Sequence, residues 1–385
     1  MRGFTSTELN LHRQTSRRPM YVRQICRRAR PNVSLFKFRA TTTHGRSMAS
    51  SNTSTQRPDL LTVHLDAAPI IDGAGPSLRY ADIGINLSDP IFRRVHHGKQ
   101  AHEDDLQHVV QRALKAGVRK MMVTGSDLRE SKNAIKLADE YPGLCYATVG
   151  VHPCSAKSFE RYPEGPDALL ADLKKLAQES RDSGKAMAFG EIGLDYDRLQ
   201  LCDKETQLVY FAKQLNLAVE LQMPLFLHSR AAASDFERLL KERLEKLPKR
   251  GCVHSFTGTL EEMKAMVDMG FDIGINGCSM KTEENLTVVR EVPLERLQIE
   301  TDGPWCDMRP SHASAQYTKD SPELPKSVKK EKWTADAMVK GRNEPCTIPR
   351  VAYAVAGIKG VSVEEVCEYA WRNSIRMFGL GEVPP

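Results

Sequence analysis

Apolar residues recur along this chain in short runs separated by longer amphipathic stretches. Residues 80–86, 118–124, 144–151, 185–194, 224–228, 251–254, 271–276 and 297–302 read as short strands, apolar as strands buried on both faces are. Between them, 102–116, 127–141, 167–180, 203–222, the stretch ending at 246, 260–269 and 286–290 carry apolar residues at helical spacing. Leu106, Val109, Val110 and Leu114 make one such stripe, and Gly117 stands just beyond its end. A last helix is predicted at about 363–377, where it would close the structure. Eight strands alternating with helices predict parallel pairing. Periodicity alone does not separate a closed barrel from an open, doubly wound sheet.

The ends of the strands make that choice. The run to Phe189 turns through Gly190 into Glu191, and the later runs end on His228, His254 and Asp302. Only closure brings so many strand ends round one mouth, so the expected fold is α/β, a TIM-like (β/α)8 barrel of the metal-dependent hydrolase type. Glu, His, His and Asp together suit a divalent ion that takes nitrogen and oxygen ligands. Glu191 has two oxygens with which to bridge two ions, and a pair of ions about 4 Å apart can share the charge of a phosphodiester.

Composition changes the picture at the start of the chain. The formal charge is +6, but residues 1–47 hold eleven of the 55 basic residues and one of the 49 acidic ones, Glu8. Residues 48–385 therefore carry 44 basic and 48 acidic residues, and capture of nucleic acid there needs a local patch. Residues 1–79 read as a disordered basic leader and linker. Its first 47 residues, Arg-rich and acid-poor, are either a mitochondrial targeting segment or a stretch preceding a start at Met48. The expected location is intracellular: cytoplasm or nucleus, or mitochondrion if the leader is a targeting segment. No apolar stretch of about 18 residues occurs, so no membrane span is expected. The nine cysteines are scattered without a C-x-x-C pair, which argues for reduced thiols, and Cys145, Cys252 and Cys278 are expected in the core. His96, His97, His102 and His108 lie in polar surroundings and are assigned no chemistry.

Six motifs in order, GINLSDPIF at 84–92, GEIGLDYDR at 190–198, FLHSR at 226–230, VHSFTG at 253–258, IETDGPW at 299–305 and GRNEPC at 341–346, resemble the TatD family of metal-dependent deoxyribonucleases. The match spans about 80–378, and the first motif resembles the branch with the eukaryotic TatD-domain proteins. The resemblance implies a barrel domain at 80–380 with an insertion at 305–349, and hydrolysis of DNA with trimming of single-stranded 3′ ends as the implied reaction. It assigns Glu191 and Asp302 to one ion and His228 and His254 to another, with Glu191 and Asp302 catalytic and Asp302 also preparing the attacking water. Mg²⁺ is the expected ion, with Mn²⁺ and Zn²⁺ as alternatives, one or two per chain.

For the substrate, the resemblance places a contact at His152, which otherwise reads as an interfacial histidine. Asp195 and Tyr196 are expected to support the site or touch substrate, unless Asp195 only stabilises a turn. Arg230 and Lys281 are candidates for phosphate oxygens. Asn343 and Glu344 are expected to pack the insertion. DNA is the expected partner, no membrane is, and a monomer suffices. Related barrels carry a His-x-His pair on the first strand, where this chain has Gly84 and Asn86. Asn86 would offer a carbonyl oxygen to a hard cation or serve structure, and restoring the pair should tighten the first ion if the strand tolerates it. Two other classes remain open: an amidohydrolase for a small C–N substrate, favoured by a closed apolar pocket, and a barrel retained as a scaffold.

Overall fold

Eight strands hydrogen-bond in sequence order, each parallel to its neighbours. They are β1 (Tyr80–Ile85), β2 (Val118–Val123), β3 (Cys145–Val149), β4 (Ala186–Asp195), β5 (Leu225–Arg230), β6 (Gly251–Val253), β7 (Asp272–Ile275) and β8 (Leu297–Ile299). The computed structural model describes residues 78–96 and 98–382, which fall within one compact unit. The expectations for the leader and linker up to residue 77, for Met48 and for His97 lie outside them.

Closure comes just past the last strand. The Asp302 amide donates to the Gly84 carbonyl at 2.8 Å, and the Asn86 amide to the Gly303 carbonyl at 2.8 Å. Thr301 binds the buried Asp82 carboxylate through its amide at 2.9 Å and its hydroxyl at 2.5 Å. These bonds join β8 to β1, so the strand ends do converge on one mouth.

Helices α1 (Leu106–Lys115), α2 (Leu128–Glu140), α3 (Pro166–Asp182), α4 (Lys204–Leu221), α5 (Ala233–Lys241), α6 (Leu260–Asp268) and α7 (Glu283–Glu291) surround the strands. Helix starts are marked by side chains that satisfy open amides: Asp127 accepts from Glu130, and Thr259 and Glu262 form a capping box. The core has two parts. One lies between strands and helices; the other fills the barrel, where Ile83, Ala188, Phe226 and Cys252 meet Trp371, Ile375 and Phe378 of the last helix, α9 (Val363–Phe378).

One long helix was not predicted. α8 (Ile348–Lys359) buries Ile348, Val351, Ala352, Val355 and Ile358 together with Ala354 and Ala356, so it has no polar stripe to mark its period. It begins inside the insertion expected at 305–349. The insertion is tied to α1 by buried charges: Arg112 donates to Glu344 at 2.8 Å, and Arg342 to Glu344 at 2.8 Å and to Asp105 at 3.0 Å. Asn343 donates to the Thr301 carbonyl at 2.9 Å, so the GRNEPC motif packs structure, as expected. His102 and His108 lie against Trp333, with ring centroids 5.2 and 5.7 Å away.

Candidate metal centre

Glu191 stands where the ladder slips. β4 pairs with β5 through Gly190 and Phe226 and then through Ile192 and Leu227, leaving Glu191 as the extra residue. Such a bulge re-aims a side chain. The Glu191 amide donates instead to the Gly125 carbonyl at 2.9 Å, and its carboxylate turns to the mouth. Gly193 follows at φ +152, and a Cβ there would overlap the His228 carbonyl, so β4 and β5 approach as only glycine permits.

Three imidazoles from three strand ends converge on one oxygen, Glu191 Oε1. His254 Nε2 lies 2.7 Å away, His228 Nδ1 3.0 Å and His152 Nε2 3.4 Å. The other nitrogen of His228 meets Asp195 Oδ2 at 3.3 Å. Burial works against charge on Glu191, yet the histidines hold its carboxyl well below the usual range. Burial likewise opposes charge on His254, but Glu191 and Glu300 raise it well above the usual imidazole range. Carboxylates thus outweigh the bound protons here, and a divalent ion would take the place of those protons. The donor set fits an ion on that ground.

His152 differs. Its Nδ1 accepts from the Cys154 amide at 3.0 Å, so the neutral ring carries its hydrogen on Nε2, facing Glu191. Burial pushes its pKa down to about 4, which keeps it neutral. Its ligand atoms lie within 4.8 Å of those of Glu191 and His228, and likewise of Cys154 and Asp195. A nitrogen that bears hydrogen does not bind a metal, however, and the partner that Nε2 faces is Glu191.

Asp302 lies across the mouth. Its Oδ1 accepts from Asn86 Nδ2 at 3.0 Å, and its Oδ2 from Cys306 Sγ at 3.2 Å. Burial raises its carboxyl to about 7. Asn86 therefore spends its amide N–H on Asp302 and, at 3.2 Å, on the Gly303 carbonyl. Ala231, Ser255, Asp302 and Cys306 all sit at positive φ, 49 to 53°, just beyond strand ends at this mouth. Each such non-glycine position costs about 1–3 kcal/mol, which the surrounding packing must offset.

Of the expected substrate residues, Asp195 joins the histidines, whereas Tyr196 turns away, its hydroxyl donating to Asp235 on α5 at 2.8 Å. Arg230 donates to Asp197 and to Thr257, each at 2.9 Å, and lines a cavity of about 690 Å³ with Lys281. Cys278 lines the same cavity and is only partly buried beside Cys306; Cys145 and Cys252 are buried as expected.

Glu300 was missed. It is fully buried, with Oε1 accepting from the Ser255 amide at 2.5 Å and Oε2 lying 3.5 Å from His254 Nδ1. A carboxylate on the far nitrogen fixes a ligating histidine's orientation and raises its basicity. The signal was the I-E-T-D spacing, since residues two apart at a strand end share a face. A Cβ at Gly84 would overlap Glu300 Oε2. The space that a histidine at 84 would need is therefore taken by Glu300, so the condition set for a restored His-x-His pair, that the strand tolerate it, is not met without displacing Glu300.

A parallel eight-stranded barrel with carboxylates and imidazoles gathered at the C-terminal ends of its strands defines a metal-dependent hydrolase of the amidohydrolase type. Residues 93–379 match the family model described as TatD related DNase, and the chain belongs to that family. It is 50% identical over 303 residues, 78% of this chain and 96% of the relative, to Deoxyribonuclease Tat-D of Schizosaccharomyces pombe. It is 34% identical over 305 residues, 78% of this chain and 99% of the relative, to the 3'-5' ssDNA/RNA exonuclease TatD of Pantoea ananatis. The crystal structure of an uncharacterized amidohydrolase from Saccharomyces cerevisiae superposes with a TM-score of 0.71 at 37% identity, covering 78% of this chain and all of that one. Among the described residues no helix is long and apolar enough to cross a membrane.

Proposed function

We propose that residues 80–380, insertion included, form a divalent-metal-dependent deoxyribonuclease that trims single-stranded 3′ ends. The observation that carries this reading is the convergence of His228 and His254 on Glu191, with Asp302 opposite, in a chain half identical to a protein named a deoxyribonuclease. Glu191, His228, His254 and Asp302 would hold the metal, in one or two ions. When bound, a divalent ion supplies Lewis-acid polarisation of the phosphodiester and a more acidic water. Mg²⁺ or Mn²⁺ suits the oxygen ligands, and Zn²⁺ also suits the imidazoles.

The chain's own groups do the rest. Asp302, with one oxygen held by Asn86, would accept a proton from the attacking water. His152, neutral with hydrogen on Nε2, would donate to a phosphate oxygen. Arg230 and Lys281 would steer the strand's phosphates from the cavity rim, and Glu300 would orient His254. That cavity opens through the exposed Lys281, Thr282 and Glu284. Incubating purified protein with end-labelled single-stranded DNA, with chelator and then restored Mg²⁺ or Mn²⁺, tests the reading. Cleavage that stops and returns supports it; hydrolysis of small amides without DNA cleavage would replace it.

A further inference from the structure

Large apolar side chains are exposed at only three of the described positions, Leu199, Val209 and Trp305. Trp305 is 48% exposed, and its amide donates to the Asp302 carbonyl at 2.9 Å. Three residues span at most about 11 Å, so the Trp305 backbone lies close to Asp302. Trp371 fills the barrel and Trp333 lies against two histidines, so the exposure of Trp305 is not how this chain otherwise treats tryptophan.

The surroundings of Trp305 are cationic. Its loop lies along the turn after β7: the Ala313 amide donates to the Lys281 carbonyl at 3.0 Å, and a Cβ on Gly277 would meet Met308 Cγ at 2.9 Å. That packing puts Lys281, Arg309 and His312 on one rim, close enough that burial, Lys281 and Arg309 depress the His312 pKa. Asp307 is the acid within this stretch, and Arg309 and Arg350 lie near it. An exposed aromatic face flanked by cations, next to a phosphodiester site, has the chemistry that holds single strands: bases stack and phosphates meet positive charge.

We propose that Trp305 is a stacking platform for a nucleobase of the single-stranded end entering the site, with Lys281 and Arg309 taking the flanking phosphates. The inference rests on the deoxyribonuclease reading and adds a base contact to it. A terminal base, unstacked in a single strand, is available to the indole, whereas a paired base is not. Preference for single-stranded over paired ends then comes from this contact.

Steady-state cleavage by the full chain in Mn²⁺ tests it, comparing an oligonucleotide with one whose last two nucleotides are abasic. On the first substrate W305A should raise KM by about 5- to 150-fold, and W305F should keep most of the affinity. On the abasic substrate the wild type should itself weaken, bringing it within about twofold of W305A. Quenching of tryptophan fluorescence by oligothymidine should shrink in W305F. An equal loss on both substrates, with a lowered melting temperature, would make Trp305 structural and overturn the proposal. No loss on either substrate would also overturn it, leaving the deoxyribonuclease reading standing. A wild type that cleaves neither would remove both.

Discussion

On one side of the mouth, β4, β5 and the end of β6 bring His228 and His254 within 3.0 Å of one Glu191 oxygen. Across it, the seam of β8 and β1 offers Asp302 held by Asn86, and Gly84 stands where related barrels carry a histidine. One side is rich in imidazole nitrogen; the other has oxygen alone. The difference teaches that one barrel mouth can present two ligand fields of unequal softness, so a single ion type need not suit both. Glu300 sits between them, buried against His254 yet filling the space beside Gly84.

The strongest way to break the comparison is to remove the carboxylate on which the imidazoles converge. Glu191→Ala leaves three imidazoles without their common carboxylate, and kcat/KM for DNA should fall on the order of 1,000-fold. Next, His228→Ala or His254→Ala should lower metal occupancy and activity together, on the order of 100-fold, because each removes a direct ligand. These losses should be larger for Zn²⁺ than for Mg²⁺; equal losses would erase the distinction between the sides. Full cleavage by either variant at limiting metal would remove the histidine from the ligand set.

Glu300→Gln sharpens the boundary. If Glu300 serves the histidine side, Zn²⁺ affinity should drop about 10- to 100-fold while Mg²⁺ affinity holds. Gly84→Ala should cost about 1–3 kcal/mol in denaturant unfolding, since its Cβ meets Glu300 and Phe226. The smallest effect concerns pH. His152 is held neutral, its folded pKa depressed to about 4 from an ordinary 6.5. Its contribution to stability is complete above about 6.5 and is lost as pH falls toward about 4. The melting temperature of the wild type should therefore fall faster across that window than that of His152→Gln.

Most of this architecture was legible in the sequence because each strand is apolar on both faces and each helix but one is amphipathic. α8 escaped because its sequence is apolar nearly throughout, and the insertion's ties to α1 escaped because Arg112, Asp105, Arg342 and Glu344 meet only in three dimensions. At the site, strand ends announced Glu191, His228, His254 and Asp302. What the chain order hides is orientation. Tyr196 follows Asp195 directly, yet the turn leaving β4 sends one to His228 and the other to Asp235. Glu300 was hidden by its neighbour, since Asp302 two residues on was sufficient to explain the motif. Cys278, amid apolar residues in sequence, reaches the rim because the turn after β7 faces the loop carrying Cys306.

Calorimetric titration of metal-free protein with Zn²⁺, Mg²⁺ and Mn²⁺, paired with DNA cleavage at each step, tests the two-sided mouth most directly. One tight Zn²⁺ per chain is predicted, weakened by His254→Ala, with cleavage still requiring added Mg²⁺ or Mn²⁺ for the oxygen-only seam. Two tight Zn²⁺ ions in the unmodified protein, with Mg²⁺ inactive, would contradict it.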